Sequence, residues 1–371
     1  SADLVAIVRW YFQEVYGRHE GRGVLPFYCD PRQVGHFALE RGDLEAGDDG
    51  ALFRLFIALA MYQARRDVVI MRQQRSLSAR TTASLVSLPA IARQVRANPC
   101  RLLRTAEVFD EGCTVQKLGS SVDCSERPGA PCHVKTAAGS FNRMADLGKL
   151  PTSAWLRVWR AGGLRRLLRE VIAAESDPGA RAELLVARLS QVRRVGRKLA
   201  TMFVSTLSVP SLAPGLTPWH PLFDGNELVV IDTNVVRGLK VLAGAKAPTG
   251  YQGGVRWFRE AAKSIDLRRF CPEVPSYSPR LVQQALYAFC SRSNRVARQD
   301  ACLKRRRPCT GCVPALCPFP TVECTAETMR LAVAVPPGSR TLSVRHPARR
   351  SGRRRSTAPD GGPDAQLCHQ S

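Results

Sequence analysis

Four cysteines crowd into "CLKRRRPCTGCVPALC", residues 302–317. They are Cys302, Cys309, Cys312 and Cys317, with six, two and four residues between them. Thiolates so spaced can close around one tetrahedral zinc ion or one [4Fe-4S] cluster, because loops this short bring four sulfurs to one centre without long-range folding. Spacing alone does not choose between zinc and iron. The first loop carries Lys304, Arg305, Arg306 and Arg307, so ligation at its two ends would present four cations on one staple, an arrangement suited to phosphate oxygens.

Two other residues stand where a side chain can react. Lys198 lies in "VRRVGRKLATMFVSTL", residues 192–207, two positions after Gly196 and at the start of an apolar-periodic run. A helix that begins there leaves its first-turn N–H groups without intrahelical partners, and such donors suit an anion. Asp232 lies in "LVVIDTNVVRGLKVL", between an apolar run and an amphipathic stretch. That position reads as an N-cap. A capping carboxylate is also held in a fixed place from which it can act on a lysine or a ligand.

Helices must position these groups. Apolar residues recur at helical spacing at Leu4, Ile7, Trp10 and Tyr11, and over residues 52–61, 155–172, 184–189, 199–207, 235–242 and 281–289. No alternating segment is long enough for a convincing strand, so helical spacing dominates the chain. Residues 98–135 and 209–228 are longer than connections in compact domains and read as insertions. Residues 321–371, rich in Arg, Pro and Gly and without periodicity, read as a flexible basic tail.

The 371 residues are 44% hydrophobic, enough for two ordinary domains with real cores. Lys and Arg outnumber Asp and Glu by 55 to 31, and the net charge of +24 makes a polyanion the expected partner, nucleic acid ahead of an anionic membrane. The apolar runs, such as residues 55–61, are far too short to cross a bilayer, and the first residues lack the charged start and apolar core of a secretory signal. A soluble, monomeric, intracellular protein is expected, in cytoplasm and nucleoid or in a nucleus. There the thirteen cysteines would be free or metal-bound rather than paired.

The order of the motifs resembles endonuclease III and its relatives in the helix-hairpin-helix DNA glycosylase superfamily. "VGRK" matches the hairpin, "IDTNVVR" follows, and the Cys-x6-Cys-x2-Cys run with a basic first loop comes last. "LFRLFIALAMYQARRD", residues 52–67, is similar to the family's early helix with its Gln-containing end. The resemblance covers most of residues 1–320 outside the two insertions. It implies two helical domains with DNA lying across the cleft between them: a six-helix hairpin domain over residues 48–232, and an iron-sulfur domain built from residues 1–47 and 233–320.

By the same resemblance Lys198 is the nucleophile, Asp232 the essential carboxylate, and Gln63 helps fill the gap left by a flipped nucleotide. Cys302, Cys309, Cys312 and Cys317 would hold a [4Fe-4S] cluster, with zinc as the alternative. Arg194, Gly196 and Arg197 of the hairpin, with Lys304, Arg305, Arg306 and Arg307, would contact the DNA. The implied partner is double-stranded DNA carrying a damaged base or an abasic site. The implied activity is base excision repair by a glycosylase with AP lyase activity, acting on a flipped base, a pyrimidine in this reading. The alternative is a non-catalytic damage-binding protein that keeps the fold and the cluster.

That chemistry suits these residue types. A neutral Lys198 amine attacks the sugar C1′, expels the base and leaves a Schiff base whose β-elimination nicks the strand. The helix start and the nearby Arg193, Arg194 and Arg197 would lower the lysine pKa. Asp232 would stabilise the cationic sugar and move protons. Relatives that cleave only the glycosidic bond lack lysine at this position.

The chain departs from the family in three places. Arg194 stands where the hairpin usually has Gly, at a cost of about 1 kcal/mol if its φ is positive. Asn234 stands where endonuclease III usually has His, and the last cysteine gap is four residues rather than five, with Cys324 as a spare ligand. Cys100, Cys113, Cys124 and Cys132, with His133, lack a Cys-x2-Cys clamp and read as free thiols rather than a second metal site. Trp219 and His220 read as a Pro-flanked surface anchor.

Overall fold

The computed structural model describes residues 2–16 and 27–291, apart from 64, 116, 119–120, 123, 125–128, 142–144 and 213–215. The fold is all-α. Its longer helices are α1 (Ala2–Tyr11), α2 (Asp49–Ala60), α3 (Asp67–Ser76), α4 (Ala79–Val86), α5 (Leu88–Ala97), α6 (Ala106–Gly112), α7 (His133–Ser140), α8 (Gly163–Ala174), α9 (Pro178–Leu189), α10 (Arg197–Ser208), α11 (Thr233–Ala243), α12 (Gly250–Lys263) and α13 (Pro279–Cys290). Among the described residues the only strand pairing is a hairpin of Lys117–Leu118 with Ser121–Val122. No helix there is long and apolar enough to cross a membrane.

Several helices start where the sequence supplies a cap. Asp48, Ser78, Ser87, Thr105, Asp177 and Ser278 each accept a hydrogen bond from a first-turn N–H. Pro sits in the first turn of α5, α9 and α13, where its missing donor costs no intrahelical bond.

The buried apolar residues form two cores. The first runs from Tyr28 to Leu228, and at its centre Phe53 meets Trp159 edge-on at 4.8 Å and Phe56 meets Phe203 at 5.0 Å. The second joins Leu4, Ile7 and Val8 of α1 to Val229, Ile231, Val235, Phe258, Leu281 and Phe289. Residues 28–47 therefore pack with the first core, not with α1. Their short helix Pro31–Val34 lies on α3, and Gly35, at φ 59°, runs so close to it that a Cβ would lie 2.8 Å from the Arg75 Cα.

Other expectations change for local reasons. Residues 155–172 are not one helix: a π-helical turn, Trp155–Trp159, ends before Gly162 and Gly163, at φ 109° and 72°, and only then does α8 begin. The break lets the start of α8 dock on Asp49, whose Oδ1 accepts from the Leu164 N–H at 3.2 Å. Residues 98–135 and 209–228, which read as insertions, contribute side chains to the first core. Leu102, Leu103, Phe109 and Val115 from one, and Leu216, Trp219, Phe223 and Leu228 from the other, are buried in the first core. Trp219 is thus a core residue between Phe203 and Phe223, at 5.6 and 6.1 Å, while His220 is exposed. A turn of 3-10 helix, Ala145–Lys149, is pressed against α7: a Cβ on Gly148 would lie 2.3 Å from the Ala138 backbone nitrogen and 2.4 Å from its Cα.

Cys100, Cys113, Cys124 and Cys132 form no disulfide with one another. Asn98 organises this region. Its Oδ1 accepts from the Cys100 N–H at 3.0 Å, and its Nδ2 lies 3.6 Å from the Cys132 Sγ and 3.2 Å from the His133 Nδ1. The other His133 nitrogen lies 3.0 Å from the Thr152 hydroxyl. Burial pushes the imidazole down to about 4. The unfolded chain therefore takes up a proton below its ordinary value of about 6.5 while the folded chain stays neutral to about 4, so stability is lost as pH falls through that window. Between pH 7.5 and 5.0 the wild-type chain should lose about 2 kcal/mol more than His133→Gln, read by urea unfolding at both pH values. Equal losses in the two chains would contradict it.

Candidate active site at the start of the hairpin helix

The turn between α9 and α10 is closed by the Val195 N–H donating to the Val192 carbonyl at 2.9 Å. Arg194 takes φ 67° there and is the only described residue other than Gly with positive φ. Left-handed backbone costs an L-residue about 1–2 kcal/mol, and Gly returns part of that through its greater freedom in the unfolded chain. Arg194→Gly should therefore raise stability by up to about 1 kcal/mol, seen as a higher urea midpoint. A lower midpoint would mean that the arginine side chain holds the turn.

Gly196 is the N-cap of α10 and offers no capping side chain. A Cβ placed on it would meet nothing within 4 Å, so the approach to the helix start is open. Lys198 is the second residue of α10, and its Nζ donates to the Tyr62 carbonyl at 3.1 Å. In return the Gln63 Nε2 donates to the Arg194 carbonyl at 3.2 Å, and also to the Ala60 carbonyl at the end of α2. Two side chains thus cross between the hairpin and the end of α2. Gln63, Arg194 and Lys198 meet in one place.

Arg197 is committed elsewhere. Its guanidinium pairs with Glu183 of α9, which also takes Arg259 of α12 at 2.8 Å. Arg259 continues to Glu227 at 3.2 Å, so this network braces α12 against the hairpin. Beyond Gln63, Arg65 and Arg66 are exposed.

Asp232 caps α11, accepting from the Val235 N–H at 2.8 Å. Its place after the apolar run Val229, Val230 and Ile231 follows from burial of that run. Asn234 accepts from the Arg237 guanidinium of its own helix at 2.7 Å. Lys198 and Asp232 make no direct ion pair. Three further groups link their surroundings: Tyr62, whose carbonyl holds Lys198, Asp67 and Tyr287. Asp67 opens α3, and its Oδ2 accepts from the Tyr287 hydroxyl of α13 at 2.5 Å. Burial pushes the Tyr62 phenol up, and the Asp67 charge adds to the effect. Burial does the same to Tyr287, where Asp67 and then Asp232 add to it and a hydrogen bond with Ser291 offsets part. Asp67 therefore acts on both phenols, and Asp232 reaches the second.

Two more features face this place. The Tyr62 hydroxyl is buried and has no hydrogen-bond partner among the described residues. Phe27, 40% exposed, meets the Tyr62 ring edge-on at 5.8 Å. Sequence patterns could not mark these residues. An acid at a helix start reads as a cap, and Tyr287 lies inside an apolar-periodic run that reads as core.

Cys302, Cys309, Cys312 and Cys317, with Lys304, Arg305, Arg306 and Arg307, lie outside the described residues, as does the basic tail. No protein-family model, curated protein or solved structure matches the chain. A primary amine at a helix start, a carboxylate fixed at another helix start and buried phenols nearby suit an electrophile that accepts a nucleophile on one side and needs charge stabilisation on the other.

Proposed function

We propose that this chain is a DNA glycosylase with AP lyase activity, built from two helical domains with duplex DNA running across the cleft between them. The observation that carries the reading is the crossed tie in which Lys198 bonds the Tyr62 carbonyl while Gln63 bonds the Arg194 carbonyl. It joins the proposed nucleophile and the proposed gap-filling residue to the hairpin turn, as an enzyme that must flip a nucleotide and attack its sugar requires.

The reaction balances on this chain's groups. A damaged pyrimidine is unstacked, the Lys198 Nζ forms a bond to C1′, and the bond from C1′ to the base breaks with its electron pair leaving on the base. Asp232 stabilises the positive charge that grows at C1′ and C4′ oxygen in that step. One amine proton passes by way of Asp232 to the departing base, the other to the ring oxygen as the sugar opens to the Schiff base, and removal of a C2′ proton then expels the 3′ phosphate. Lys198 rests on a neutral carbonyl rather than on a carboxylate, so moving it off that partner breaks one hydrogen bond, about 2 kcal/mol for a charged donor, and no ion pair. The [4Fe-4S] cluster, or zinc, that Cys302, Cys309, Cys312 and Cys317 would hold supplies a stapled basic loop for phosphate contact.

The test is borohydride trapping. Wild-type chain mixed with duplex DNA containing one abasic site should form a covalent adduct once the imine is reduced. Tight binding to that DNA with no adduct would favour the non-catalytic damage-binding alternative, to which the strained Arg194 in the hairpin lends weight.

A further inference from the structure

Asp67 and Tyr287 belong to different cores. Asp67 opens α3, whose Ile70 is buried in the first core, and Tyr287 packs against the second. Asp67 lies five residues after Tyr62, whose carbonyl anchors Lys198. Tyr287 is carried by α13, and α13 packs tightly along α11, the helix that Asp232 caps. That contact leaves no slack: a Cβ on Gly238 of α11 would lie 2.6 Å from the Cys290 Sγ and 3.0 Å from Leu286 Cδ1. The Arg237 guanidinium also donates to the Cys290 carbonyl at 3.2 Å. Movement of α13 therefore carries Asp232 with it.

We infer that the hydrogen bond from Tyr287 to Asp67 is a positioning strap that sets the separation between Lys198 and Asp232. The inference rests on the glycosylase and lyase reading. Reacting groups displaced by about 1 Å lose on the order of a hundredfold in rate, and this bond ties the segment that anchors the amine to the helix pair that carries the carboxylate. The ion pairs of Glu183 with Arg197 and Arg259 form a separate link across the two cores. Loss of the strap therefore leaves the chain folded and the site loosened.

The test uses the full chain as Tyr287→Phe, Asp67→Ala, Asp67→Asn and the double variant Tyr287→Phe with Asp67→Ala. Trapping on abasic duplex under single-turnover conditions should slow about tenfold or more in the first two. Binding to a duplex with an uncleavable tetrahydrofuran site should stay within about twofold, because the two groups bond each other and neither is a cation that could pair with phosphate. Asp67→Asn keeps an oxygen that accepts from the phenol and should retain most of the rate. The double variant should be no slower than either single loss, since both remove one bond. Without DNA, amides of residues 67–70 and 235–239 should exchange faster in Tyr287→Phe than in wild type. Unchanged trapping, or slower trapping matched by equally weakened binding, overturns the strap. A wild-type chain that forms no adduct overturns the lyase reading instead, and equal exchange in the two chains then overturns the strap on its own.

Discussion

Lys198→Ala is expected to leave no adduct with abasic-site DNA, a fall of roughly 10³-fold or more in trapping rate. No neighbour can replace the amine. Arg193, Arg194 and Arg197 carry guanidinium groups that stay protonated in proteins and so present no free electron pair. The structural loss is modest, since the ammonium makes one hydrogen bond, to the Tyr62 carbonyl, worth about 2 kcal/mol. Lys198→Arg sharpens the experiment. It keeps the charge and a donor for that carbonyl, so binding to abasic DNA should persist while trapping disappears. Adduct formed by Lys198→Arg at the wild-type rate would move the nucleophile to another residue.

The largest loss of stability is expected from Gly148→Ala. The new Cβ would lie 2.3 Å from the Ala138 nitrogen, 2.4 Å from its Cα and 2.6 Å from its Cβ. Two of these are backbone atoms of α7, so no side-chain rotation relieves the clash. The turn Ala145–Lys149 must lift from α7, and Leu147 and Leu150, both fully buried, would lift with it. A cost of about 3 kcal/mol is expected, a large share of the roughly 5–15 kcal/mol that holds a folded chain together. Gly139→Ala, on the same helix, is the control. Its Cβ would meet nothing within 4 Å, so it should raise stability by about 0.5–1 kcal/mol through helix propensity. Urea midpoints for the two variants should move in opposite directions.

Period and capping made much of this molecule legible. The apolar spacing of α1, α10, α11 and α13 marks those helices, and Asp232 before a periodic run marks a cap. The meeting of Lys198 with Tyr62 and of Gln63 with Arg194 was only half legible. The residues stand out by type, but the bonds span 136 and 131 positions, a matter of how helices pack rather than of any local pattern. Trp219 and Phe109 entered the core from stretches rich in turn residues, where no period announces which side faces inward. Tyr287 was hidden for the opposite reason, because its apolar neighbours made it look like core. Nothing in "DLGKLP" shows that Gly148 passes within bonding-sphere distance of another helix.

The packing of α1 against residues 229–290 also sets an order of events during synthesis. Leu4, Ile7 and Val8 leave the ribosome before any residue of the first core, yet their partners Leu281 and Phe289 are made last among the described helices. At about 5–20 residues per second, α1 has an unburied apolar stripe for on the order of tens of seconds, while residues 28–228 can already close their own core. A nascent chain halted before α13 would thus be a folded middle with a sticky leader, and a natural client for a chaperone that grips short apolar helices.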